Sequence, residues 1–235
     1  MKAYERIIAV LAALMMLFGL LTVSVNIIFN RTGWLYKEYL CELENSVYYE
    51  YGISAEDASR VLARMMYYST GRAKDLDVTI EEDGAEVPFF NERELSHMRD
   101  VRRLTRAILW SGAVCLVLSA AALAVLVIRK RKQALRLFAK TYLIAFIAAL
   151  VLVIALAVWI VIDFDSFWTT FHVVFLDLES STFDPAESRM IRICPAELFA
   201  DFTGMLGTYA ALFVGGGAVL SMIYLAYTRK KHELS

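Results

Sequence analysis

Two histidines hold most of the chemistry that this sequence can offer. His97 lies in "LSHMRDVRRL", residues 95–104, with Asp100 three residues further on and three arginines close by. That spacing places the carboxylate one helical turn from the imidazole, on the same face. An imidazole accepts a proton near neutral pH, and an adjacent carboxylate can fix its tautomer, so His97 with Asp100 reads as a general base and its orienter. His172 lies in "DFDSFWTTFHVVFL", residues 163–176, beside Phe164, Phe167, Trp168, Phe171 and Phe175 at helical spacing. For one histidine at an interface, a structural hydrogen bond is the commoner role. Two at similar depth on one side of a membrane point to chemistry. The third, His232, falls in a charged tail and reads as solvated.

The elements that must hold these residues are membrane helices. The chain has 235 residues, is 59% hydrophobic and has a mean hydropathy of +0.53, which is too apolar for an ordinary soluble domain. Four stretches, at about 7–29, 107–128, 142–162 and 205–227, are long enough to cross a hydrocarbon core of about 30 Å. None contains an ionisable Asp, Glu, Lys, Arg or His, so a coupled transporter is disfavoured. The first span is longer than a signal-peptide core and no small-x-small site follows it, so it reads as an uncleaved anchor.

Loop charge sets the orientation. The connection 129–141, "RKRKQALRLFAKT", has six Lys or Arg and no acid, and the tail adds Arg229, Lys230 and Lys231. Both are expected on the cytoplasmic side, with both termini. Segments 30–106 and 163–204 hold 23 of the 25 acidic residues and form an extracytoplasmic cap, which would carry the active site.

The cap reads as folded structure. Tyr36, Leu40, Leu43 and Val47 form a helical stripe suited to a membrane surface. Ser54 caps a second amphipathic helix that continues through Val61, Leu62, Met65 and Met66 and stops at Gly71. "LDVTIEEDGAEVPFF" alternates around Asp83-Gly84 and predicts a small β-hairpin. Asn91 and Glu94 then make a capping box for the helix that carries His97 into the second span. In the second segment, Asp184-Pro185 marks a turn and Pro195 restarts a helix. The fold class is an all-α membrane protein with four transmembrane helices and a cap of amphipathic helices and one hairpin, forming a single integral membrane domain over 1–235.

Arg99, Arg102, Arg103 and Arg106 crowd the outer end of the second span. Lipid phosphate headgroups suit most of them, and one could stabilise a developing oxyanion. Arg99, Arg102 and Arg103 are the substrate-binding candidates. Cys115 lies within a span, whereas Cys41 and Cys194 both fall in outer segments, where a disulfide and free thiols are equally compatible with the sequence. Gly215, Gly216 and Gly217 in the last span leave room for an acyl chain or, more often, for close helix packing. There is no Gly-x-Ser-x-Gly elbow, P-loop or Cys-x-x-Cys pair.

The four spans, the long first outer loop ending in "LSHMRDV", and the blocks "DFDSFWTTFHVVFL", "FDPAESRMI" and "CPAELFADF" resemble the bacterial lipoprotein intramolecular transacylases. The resemblance covers nearly the whole chain. It implies a membrane acyltransferase that moves an acyl chain from the sn-2 oxygen of a lipoprotein's diacylglyceryl group to the α-amino group of the same N-terminal cysteine, giving a lyso-form lipoprotein. The implied partners are a diacylated lipoprotein and membrane lipids, with no nucleic acid. Donor and acceptor sit in one substrate, so positioning supplies much of the rate and no cofactor is needed. On this reading His97 is the general base, supported by Asp100, and His172 the acid or oxyanion donor; the two roles are exchangeable, and an acyl-histidine intermediate stays open. Two other classes are weighed against it. In a membrane metallohydrolase, His97, Asp100 and His172 would be metal ligands, although their spacing matches no strong zinc motif. In a non-enzymatic partner-binding protein the histidines would be structural.

Overall fold

Long apolar runs without proline build most of this molecule as helix. The computed structural model describes residues 2–38, 52–82, 84–176, 183–184 and 186–233. In chain order these form α1 (Ala3–Asn30), α2 (Gly33–Glu38), α3 (Ala55–Thr70), β1 (Thr79–Glu82), β2 (Ala85–Pro88), α4 (Glu92–Ile162), α5 (Phe164–Phe175), α6 (Arg189–Arg192) and α7 (Ala196–Ala210). A π-helical turn at Ala211–Gly215 then leads into α8 (Gly216–Glu233). Three of the helical stretches, Ala3–Asn30, Glu92–Ile162 and Leu198–Lys230, are long and apolar enough to cross a membrane. The second is broken at Arg131, whose φ of 40° and ψ of −116° lie outside the helical region. The chain therefore has four long apolar arms. Most of the expected outer helix around Leu40, Leu43 and Val47 lies outside the described residues.

The chain divides into two compact units. The first consists of Met1–Val25, Ile108–Phe164 and Leu206–Ser235. Many of its outward residues are apolar, among them Val117, Ile147, Val153 and Ile223. Where lipid replaces water, apolar residues gain little from meeting each other, and small residues and internal hydrogen bonds hold helices together. A Cβ on Gly112 would lie 1.8 Å from the Thr22 hydroxyl, and one on Gly19 would lie 2.4 Å from the Leu116 side chain, so glycine is required for α1 and α4 to approach. The Ser119 hydroxyl donates to the Ala12 carbonyl at 2.7 Å. The Tyr142 hydroxyl donates to the Val214 carbonyl at 2.9 Å, within the π turn whose displaced ladder frees such an acceptor. A Cβ on Gly217 would fall 2.5 Å from that same hydroxyl. Close packing thus accounts for Gly217. Beside the break at Arg131, buried Glu5 faces Lys130 at 3.7 Å, and Ala9, Leu126 and Ala134 pack together.

The second unit consists of Asn26–Ala107 and Asp165–Met205. Here the local signals of the sequence appear as geometry. Ser54 Oγ accepts from the Asp57 amide at the start of α3, and Gly71 closes the helix with a φ of 88°, a conformation that costs a side-chain-bearing residue about 1–2 kcal/mol. The buried positions of α3 include Ala58, Val61, Leu62 and Met66, and the helix packs against α2. β1 and β2 pair antiparallel, with Ile80 opposite Val87 and Glu82 opposite Ala85, and Gly84 supplies a φ of 79° in the turn. Arg60 and Arg64 tie α3 to the following segment through the Thr79 carbonyl at 2.9 Å and the Asp75 carboxylate.

Candidate active site

The site grows from a helix start. Asn91 Oδ1 accepts from the Glu94 amide at 2.9 Å while Glu94 Oε2 accepts from the Asn91 amide at 2.8 Å, a reciprocal capping box that fixes where α4 begins. One turn later His97 points into the unit and is 9% exposed. α5 brings the second imidazole: His172 is 6% exposed, and the two rings stack at 23° with centroids 6.1 Å apart. Two residues 75 positions apart in sequence therefore share one small volume.

The rings are held differently. His172 Nδ1 lies 2.7 Å from the Trp168 carbonyl, one turn back on α5. A carbonyl only accepts, so Nδ1 carries the hydrogen, and in the neutral ring Nε2 keeps its lone pair. The Trp168 ring also covers His172 at 4.4 Å and is itself packed edge-on by Phe199 at 5.0 Å. His97 has no such anchor. Its Nδ1 is buried without a hydrogen-bond partner among the described residues. The Phe183 ring meets the imidazole edge-on at 5.3 Å, under the Arg93 guanidinium, also at 5.3 Å. Desolvation, aided by repulsion from His172 and opposed by Asp100, pushes the pKa of His97 down to about 4, so the ring is neutral at physiological pH.

Asp100 does not orient His97 as the spacing suggested. Its carboxylate turns to Arg103, with Nη1 to Oδ1 at 3.0 Å, and acts on His97 only as a nearby charge. The physical reason is competition: both partners lie at i, i+3, and the cation offers the carboxylate the stronger bond. Among the described residues no group of three His, Cys, Asp or Glu is placed to hold a metal ion.

The arginines separate by partner. Arg102 donates to the Ala73 and Lys74 carbonyls at 3.1 and 3.2 Å and stacks over Tyr68 at 4.4 Å, so it is occupied as a strut beyond the end of α3. Arg103 is 81% exposed, and Arg99 is exposed as well. Cys194 is a free thiol whose burial, with the Glu94 charge adding, pushes it up to about 12. It cannot serve as a ready thiolate nucleophile. Its proposed partner Cys41 lies outside the described residues.

The family model for the lipoprotein intramolecular transacylase Lit matches residues 10–199. The chain belongs to that family. It is therefore a multi-pass membrane protein and an acyltransferase, a lipoprotein intramolecular transacylase. Among solved structures it resembles the membrane-integral Lit from Bacillus cereus, with a TM-score of 0.73 at 18% identity, covering 100% of both chains. It also resembles two variants of that protein with one histidine replaced. The arginine variant gives a TM-score of 0.68 at 17% identity, covering 98% of this chain and 94% of that one. The alanine variant gives 0.68 at 18% identity, covering 99% and 96%. At such identities the likeness shows the fold. No curated protein sequence matches significantly.

Sequence reasoning missed three residues around the histidine pair. Trp168 is used through its backbone carbonyl, which no side-chain pattern reveals. Phe183 approaches His97 from a segment far along the chain. Glu94 was read only as a cap, yet its Oε1 also accepts from Ser188 Oγ at 2.5 Å and from the Met190 amide at 2.9 Å.

Proposed function

We propose that the His97–His172 pair catalyses transfer of the sn-2 acyl chain of a diacylglyceryl lipoprotein to the α-amino group of its own N-terminal cysteine. In this reaction the amine nitrogen bonds to the ester carbonyl carbon, an oxyanion forms, and the bond from that carbon to the sn-2 oxygen breaks. The nitrogen loses a proton and the departing alkoxide gains one. The two histidines divide this work.

The observation that carries the assignment is the Nδ1 contact of His172 with the Trp168 carbonyl at 2.7 Å. It leaves Nε2 of His172 as acceptor, the form that a base needs. For His97 the less costly tautomer leaves the buried, unpartnered Nδ1 bare and puts the hydrogen on Nε2, because an orphaned buried N–H is the rarer and dearer defect. His172 then takes the proton from the amine and His97 donates to the oxyanion or the leaving oxygen. This reverses the order expected from the Asp100 spacing. Arg99 and Arg103, two of the exposed members of the basic cluster, position the substrate's headgroup region. The membrane spans lie at about 7–29, 107–128, 142–162 and 205–227, with loop 129–141 and both termini cytoplasmic, and 30–106 with 163–204 forming the extracytoplasmic cap.

A substrate carrying a labelled chain at sn-2 tests the reading. After incubation with membranes containing the enzyme, mass spectrometry of the N-terminal peptide is expected to show the label on nitrogen and one remaining glyceryl chain. Label that stays on glycerol, or leaves as free fatty acid, contradicts the proposal.

A further inference from the structure

Glu94 is almost fully buried, at 1% exposure, yet it lies outside the reacting pair. A buried carboxylate is costly unless its oxygens are bonded. Here three donors serve it: the Asn91 amide on its own helix, and Ser188 Oγ with the Met190 amide from a segment more than ninety residues away. Ser188 in turn caps the short α6 by accepting from the Ile191 amide. The same stretch contains Phe183, whose ring covers His97, and the Asp184 carbonyl and carboxylate accept from the Ser188, Glu187 and Ala186 amides, making a tight turn between them.

We propose that Glu94 is a positioning residue for the transfer: its carboxylate clamps Ser188 and Met190, the strap that follows Asp184, to the helix of His97 and so holds the Phe183 ring over the imidazole, keeping water from it. The proposal rests on the functional assignment of His97 given above. The covered ring stays neutral and keeps the tautomer that donates through Nε2. Among the described residues, these charged and titratable groups stand around it. Asp100 and Glu94 lie on its own helix, His172 faces it from α5, and Arg93 stands beyond Phe183. On the strap, Arg189 is engaged by Glu82 and the Pro88 carbonyl, and Arg192 by the Ala186 carbonyl.

The test is the titration of His97 in the full-length protein, followed by NMR of histidine labelled at 13Cε1 in lipid nanodiscs, with the resonance assigned from His97→Gln. In the wild type the midpoint is expected at about 4. Phe183→Ala removes the cover without touching the clamp, and Glu94→Ala removes the clamp; each is expected to move the midpoint up to between about 5 and 6.5, toward a hydrated imidazole. Glu94→Gln keeps an oxygen for Ser188 and Met190 and is expected to stay near the wild type. A residue that merely supports the fold would lower abundance and leave this midpoint alone. If Glu94→Ala fails to fold, Ser188→Ala takes its place with the same upward direction. An unmoved midpoint in folded Phe183→Ala, or in folded Glu94→Ala, overturns the proposal. Wild-type turnover in His97→Gln would instead sink the functional reading while leaving the clamp intact, so the two failures are separable.

Discussion

The two units of this transacylase are built from different materials. In the unit formed by 1–25, 108–164 and 206–235, specificity comes from absence: glycines at 19, 112 and 217 make room, and a few hydroxyls reach backbone carbonyls. In the unit formed by 26–107 and 165–205 it comes from presence: caps, a hairpin, struts such as Arg102, and a buried carboxylate with three donors. Both paired histidines belong to the second kind. On the assignment proposed above, the reacting imidazoles sit where polar groups can be paired densely enough to hold a neutral imidazole dry. The apolar unit's close helix contacts tolerate volume changes poorly.

Breaking the polar side of this comparison should have the largest effect. His172→Gln is expected to lower turnover by about 10³-fold or more, since it removes the group assigned as base. His97→Gln keeps an N–H donor and is expected to lose less, about 10²-fold. Both are read from product formation at matched protein abundance. On the apolar side, Gly112→Ala places a methyl where the Thr22 hydroxyl lies at 1.8 Å. It should destabilise the protein by about 1–3 kcal/mol, seen as a lower thermal midpoint in detergent, with KM nearly unchanged.

Acid sharpens the contrast. The folded protein leaves His97 unprotonated until about pH 4, whereas an unfolded imidazole takes its proton near 6.5. The unfolded chain therefore binds the proton first, so this part of the stability is complete above about pH 6.5 and is lost as pH falls toward 4, a drop of roughly 3 kcal/mol. His97→Gln should flatten thermal stability across that window. The smallest effect belongs to the rim: Arg103→Ala removes an exposed charge and should raise KM a few-fold while leaving kcat and stability within error.

Much of the fold was legible because its signals are local. The Ser54 cap, the Gly71 stop, the hairpin at Gly84 and the Asn91–Glu94 box each depend on residues within one turn of each other, and each is present. The helical membrane character followed from long apolar runs. Of the candidate site, only the two imidazoles were legible. Their separation was not, because side-chain type says nothing about which helices meet. Asp100 misled because i, i+3 spacing permits contact with His97 and with Arg103 alike, and sequence alone does not weigh the two. Trp168 and Phe183 act through a carbonyl and a ring edge, contacts that arise only from tertiary packing. Glu94 showed its local half, the cap, and hid its longer reach to Ser188.

The central claim is that His97 and His172 act as one unit on a single substrate. A double-mutant cycle on turnover, with His97→Gln, His172→Gln and the pair together at equal abundance, tests it most directly. Groups that share one transition state are strongly non-additive, so the double variant is expected to be about as slow as His172→Gln alone. Losses that multiply would show two histidines working independently and would contradict the account.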